Sequence, residues 1–127
     1  MCAELGEAER ADALRALLAP HAHHHGVPPL AICYGGPVGF ALARLAELSG
    51  AEDEAHELYD EALEACRVVG ARPTRARVAL HAGRSALRRD RRRALALLEE
   101  SRDAGAALGM RRVKDEAERL LGRAPRA

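Results

Sequence analysis

The sequence has 127 residues, of which 48% are apolar but only 2% aromatic, and 20 basic side chains nearly balance 19 acidic ones. That length suits one domain with a modest aliphatic core, and the dominance of Ala and Leu favours helices over strands. No apolar run reaches the roughly 18–20 residues of a membrane helix, so no membrane partner is expected.

Residues 1–10 carry Glu4, Glu7 and Glu9 and no apolar stretch, which is not the pattern of a secretory signal. Cys2, Cys33 and Cys66 are odd in number and widely spaced, so they suit neither a disulfide framework nor a zinc knuckle. They read as reduced thiols of a cytoplasmic protein, with Cys66 packed as a small hydrophobe. The small net charge conceals a division. Residues 1–66 hold 12 acidic and 3 basic side chains, leaving −9, whereas residues 67–127 hold 17 basic and 7 acidic, leaving +10. Opposite fields of this kind suit head-to-tail association, an acidic partner, or attraction between two surfaces of one molecule.

The spacing predicts a first helix over residues 7–19, with Leu14, Leu17 and Leu18 on one face and Pro20 marking its end. Residues 21–36 read as irregular, being punctuated by Gly26, Pro28, Pro29, Gly35 and Gly36. An apolar piece from Leu30 to Tyr34 is expected to tuck against the core. His21, His23, His24 and His25 are chemically capable of metal binding. Their spacing fits no regular ligand set and no Cys or carboxylate lies nearby, so a solvated loop and no dedicated metal site are expected.

The next helix covers residues 37–49, with Pro37 at its first position and Val38, Leu42 and Leu45 in line beside Ala41 and Leu48. Gly50 is placed to close it. Residues 52–69 form the clearest helix: acidic residues at its start suit the helix dipole, and Ala55, Leu58, Tyr59, Ala62, Leu63 and Cys66 make a buried stripe. Gly70 ends it. Pro73 opens a fourth helix to about Arg88, and residues 91–108 form a fifth with Ala94, Leu95, Leu97, Leu98 and Leu108 inward. Residues 111–121 form a short sixth with Val113, Ala117, Leu120 and Leu121 on one face. Residues 122–127 read as a flexible tail.

The marks of one hairpin return in the next. Ala43 and Ala82, Ala55 and Ala94, Tyr59 and Leu98, and Gly70 and Gly109 are all separated by 39 residues. The predicted organisation is therefore an N-terminal helix plus His/Pro/Gly-rich loop over residues 1–36, helical repeats over 37–121, and the tail. Within the first hairpin, Leu42-Ala43, Gly50, Glu54-Ala55, Tyr59 and Ala62-Leu63 resemble a tetratricopeptide repeat. The second hairpin matches at Ala82, Ala94 and Leu98 but has Arg89 at the turn and Ser101 where a small alanine stands. A period of 39 exceeds the usual 34. Longer units of this kind resemble the C-terminal helical domains of large ATP-binding bacterial regulators of the LuxR type, over residues 37–110. The resemblance implies an all-α, right-handed stack of antiparallel helical hairpins with about six helices. It also implies a non-catalytic module binding a protein or peptide, in a bacterial signalling or transcription-regulatory context. No G-x-x-x-x-G-K-[ST] run is present and Lys114 is the only lysine. The ATPase chemistry of such regulators is therefore not expected, nor any other cofactor.

In the register of that motif, Phe40, Arg44 and Glu47 of one hairpin and Ala79, Gly83 and Ala86 of the next would line a partner-binding groove, with Phe40 as an aromatic anchor. The alternative for Phe40 is burial against the N-terminal segment. A basic face comprises Arg84, Arg88, Arg89, Arg92 and Arg93, whose guanidinium forks suit carboxylates and phosphates. A nucleic-acid-associated regulator using that face is one alternative reading, disfavoured by the scarcity of aromatics for base stacking. A metal-binding protein using the His-rich loop is another. No nucleophile with an orienting base stands out around Cys33, Cys66, His56 or His81, so no catalytic residue is assigned. A short array lacking a polar capping helix also suits homodimerisation.

Overall fold

The computed structural model describes residues 6–27 and 34–124. Cys2, Cys33 and most of the Leu30–Tyr34 piece lie outside the described residues, as do the last three residues of the tail. Six α-helices account for most of the described chain: α1 (Ala8–Leu18), α2 (Val38–Leu48), α3 (Glu52–Val69), α4 (Arg72–Ala86), α5 (Arg91–Ala107) and α6 (Arg111–Arg123). The protein is all-α. It divides into two compact units, Met1–Cys66 and Arg67–Ala127.

In the first unit the N-terminal segment packs with the first hairpin and does not form a separate body. Helix α1 lies against α2. Arg15 pairs with Glu54 and Asp12, and the Ser49 hydroxyl donates to Asp12 at 2.9 Å, tying α1 to the α2–α3 turn. Only Ala11 of α1 is buried. Leu14 and Leu18 follow it at i+3 and i+7 and are half-buried, but Leu17 falls off that line and is 70% exposed, contrary to the expected face. The segment expected to be irregular holds a 3-10 turn (Ala19–His21) and two short strands, β1 (His25–Gly26) and β2 (Gly36–Pro37), paired antiparallel. Here Gly35 is required: its N–H donates to the Gly26 carbonyl at 2.7 Å, and a Cβ would stand 2.7 Å from that same oxygen. Pro37 is the extended residue before α2, with ψ 138°, and not its first helical residue as expected.

Helix α2 buries Gly39, Leu42, Ala43, Leu45 and Ala46. Ala41 lies opposite that stripe and is exposed, against expectation. Helix α3 starts and stops where the acidic first turn and Gly70 predict, and buries Ala55, Tyr59, Ala62, Leu63 and Cys66. A Cβ built at Gly39 would stand 3.8 Å from the Leu58 carbonyl oxygen of α3, an ordinary contact, so the packing of α2 on α3 does not depend on glycine there.

In the second unit α4 and α5 form an antiparallel hairpin, because Ala76 meets Ser101 while Gly83 meets Ala94 and Leu98. The Ser101 hydroxyl donates to the Ala76 carbonyl at 2.9 Å, and Arg75 Nε donates to Glu100 at 2.6 Å. Glycine inside a helix costs about 1 kcal/mol against alanine. Full burial of Leu98 contributes about 2 kcal/mol, and the bare Cα of Gly83 permits it, so the packing term wins. Gly105 plays the same part for α6, where a Cβ would meet the Lys114 backbone nitrogen at 3.0 Å. Helix α6 continues through Gly122 and Arg123, which the sequence placed in the tail.

One connection recurs. Gly70 (φ +70°) and Gly109 (φ +69°) are each followed by a residue near φ −80°, ψ +70° — Ala71 at −79°, 67° and Met110 at −84°, 70° — and then by a helix. The next N–H turns back to the glycine carbonyl, Arg72 at 2.9 Å and Arg111 at 3.1 Å. This is an inverse γ-turn attached to a left-handed helix stop. The same geometry precedes α1 at Gly6 (φ +69°) and Glu7 (−81°, 77°), with Ala8 donating to Gly6 at 3.0 Å.

Candidate interaction surfaces

The groove expected from the motif register resolves differently in the two hairpins. In the first, Phe40, Arg44 and Glu47 are half-buried along one side of α2. The Phe40 ring lies 6.3 Å from that of Tyr59, and the Tyr59 phenol donates to Glu47 at 2.5 Å. Tyr59 itself is 0% exposed. These residues therefore face the second helix of their own hairpin. In the second hairpin the equivalent positions are Ala79, Gly83 and Ala86, and all three are buried. The assignment of those three as an open groove is corrected: Gly83 is seated on Leu98 and the Ala94 carbonyl, so this side of α4 is taken up by its own hairpin. The motif spacing groups these positions as a set, and the structure turns both Phe40 and Glu47, and Gly83, toward the second helix of their own hairpin.

The basic face is exposed. Arg84, Arg88, Arg89 and Arg92 are exposed and Arg93 is half-buried, around the α4–α5 connection. Arg84 donates to His81 Nδ1 at 3.0 Å, which makes that nitrogen the acceptor. Asp90 caps α5, accepting the Arg93 backbone N–H at 3.0 Å. Among the described residues the side chains of Arg88, Arg91 and Arg92 enter no hydrogen bond or ion pair. The charge division read from the sequence falls at the boundary between the compact units, so the first carries −9 and the second +10.

The histidines separate into two pairs. His21 and His24 face each other with Nδ1 atoms 3.3 Å apart, and His25 Nδ1 meets the Tyr34 hydroxyl at 2.6 Å. Among the described residues no three His, Cys, Asp or Glu side chains converge to hold a metal ion. His23 and His24 line a recess of about 530 Å³ together with Pro37, Gly39, Asp60, Glu61 and Glu64. Burial holds the Tyr34 phenol above its ordinary range, and the Cys66 thiol adds to the effect. Cys66 is 1% exposed.

A second recess had no signal in the sequence. It measures about 310 Å³ in the second unit and is lined by Leu87, Arg91, Leu120, Arg123 and Ala124. Leu120 reads in the sequence only as an apolar-face position of the last helix. The meeting of Leu87 and Leu120 with Arg91 and Arg123 depends on the end of α6 returning to the α4–α5 connection. No protein-family model, no curated protein and no solved structure matches this chain.

Proposed function

We propose that this chain is a non-catalytic helical-repeat module of tetratricopeptide-like type, which binds a protein or peptide partner in the cytoplasm as part of bacterial signalling or transcription regulation. The observation that supports the reading is a repeated seam. The buried residues Ala55, Tyr59, Ala62 and Cys66 of α3 return 39 residues later as Ala94, Leu98, Ser101 and Gly105 of α5, and these are buried too. Each seam is followed by the same glycine stop and γ-turn. Repeated hairpins of this sort bury their repeated positions within the unit and leave other helix faces for other molecules. The partly exposed Phe40 beside Arg44 and the exposed arginines of the second unit are the surfaces on offer.

The test is an affinity capture with the full chain as bait, carried out with chemical crosslinking in lysate of its native cell. The expected outcome is a saturable protein partner recovered in near-stoichiometric amount. Recovery of nothing beyond the background of an unrelated helical bait would defeat the reading.

A further inference from the structure

The geometry points to the recess between the α4–α5 connection and the end of α6 as the docking site for a short acidic peptide that carries an aliphatic or aromatic anchor. This rests on the reading of the chain as a protein-binding module and gives that reading a place and a chemistry. The floor is apolar: Leu120 is 7% exposed and Leu87 half-buried. Arg91 and Arg123 also line the recess and make it cationic. At about 310 Å³ the recess holds one or two large side chains, which is the low end of ligand cavities.

Two acids of these helices take their hydrogen bonds from other residues, although Glu116 also feels the field of Arg123. Asp90 accepts the Arg93 backbone N–H, and Glu116 is bound at both oxygens by Arg119. The positive charge of the recess is therefore not matched by a local carboxylate in a hydrogen bond, and it stands in a unit of net +10. Arg88 and Arg92 extend the same field from the connection. A phosphate backbone would use the arginines but leave the leucine floor wet. An apolar ligand without charge would use the floor but leave the guanidinium groups unpaired. A peptide with one large apolar side chain flanked by Asp or Glu satisfies both.

The test uses fluorescence anisotropy with the full chain and a fluorescein-labelled peptide of the pattern Asp-Glu-Leu-Phe-Glu-Asp. Binding is expected to weaken about tenfold or more when Arg91→Glu and Arg123→Glu are combined, and equally when the Leu-Phe pair of the peptide becomes Ser-Ser. The control Arg111→Glu with Arg112→Glu, on exposed positions at the other end of α6, is expected to weaken it less than about threefold. Circular dichroism melts confirm that each variant is folded. Tighter binding of a labelled single-stranded or duplex oligonucleotide, with no loss on the Ser-Ser exchange, would overturn the proposal in favour of phosphate. Self-association that Arg91→Glu abolishes would overturn it in favour of a second copy. If the affinity capture yields a partner whose binding ignores Arg91 and Arg123, the recess assignment fails while the module reading stands. If the capture yields none, the module reading itself fails.

Discussion

The phenol of Tyr59 donates a 2.5 Å hydrogen bond to the Glu47 carboxylate, from a ring that is fully enclosed between α2 and α3. This bond joins the two helices of the first hairpin. Tyr59→Phe keeps the ring and removes the donor. Because the carboxylate is half-buried and regains water, the expected loss is about 1–2 kcal/mol. Urea denaturation would measure it, and an unchanged midpoint would show that the bond adds nothing.

Gly83→Ala is expected to destabilise the second unit even though alanine is the better helix former. The added Cβ would meet Leu98 Cγ at 2.9 Å and the Ala94 carbonyl at 3.2 Å, and neither is the free end of a flexible chain. Overpacking of this kind costs about 1–3 kcal/mol, against about 1 kcal/mol of helix propensity. Gly122→Ala is the opposite case, since nothing lies within 4 Å of its Cβ position and α6 is already helical there. It should be neutral or stabilise by a few tenths to about 1 kcal/mol. Thermal melts should show a lowered midpoint for Gly83→Ala and an unchanged or raised one for Gly122→Ala.

Asp90 caps α5 with its side chain, accepting the Arg93 N–H at the helix start. Asp90→Ala is expected to cost about 0.5–2 kcal/mol. Asp90→Asn should retain most of that cap but lose the favourable charge at the helix N-terminus. Chemical denaturation of the three proteins checks the order, wild type above Asn above Ala.

Glu116 is held below the usual glutamate range chiefly by its hydrogen bonds from Arg119, with burial opposing and Arg119, Arg84 and Arg123 adding their fields. A depressed carboxylate pKa contributes stability that is present above the unfolded value and lost as pH falls through the folded one. The pair is largely solvated, so water and salt screen most of its contribution. An NMR titration should place the Glu116 midpoint below the ordinary glutamate value. Arg119→Gln should return it upward.

Much of the fold was legible because it is written in local terms. The acidic first turn and Gly70 set both ends of α3, and Gly50 and Gly109 marked helix stops through their left-handed φ values. The buried stripe of α3 followed from spacing alone. What escaped the sequence depends on contacts made across long separations. Leu17 looks like a core residue until α1 settles on Ala11, and Ala41 looks like part of a stripe until α2 settles on Gly39 and Ala43. The β1–β2 pairing is carried by Gly35 and Gly36, which read only as breakers. The six groove residues were picked as one set by motif register. Which neighbour they face is fixed by Tyr59 and Leu98, and the spacing of α2 or α4 alone says nothing about that. The Leu87–Leu120 recess required two segments more than thirty residues apart to converge.

The glycine stop and γ-turn that link α3 to α4 and α5 to α6 place a demand on a single residue, since only Gly70 or Gly109 takes a backbone angle that other residues resist. A junction with so small a requirement is interchangeable. Cutting the gene at one such glycine and splicing at another would leave both flanking helices with the ending and beginning they already have. An engineered duplication that joins one such glycine to the residue after the other would therefore add a whole hairpin without a new connector.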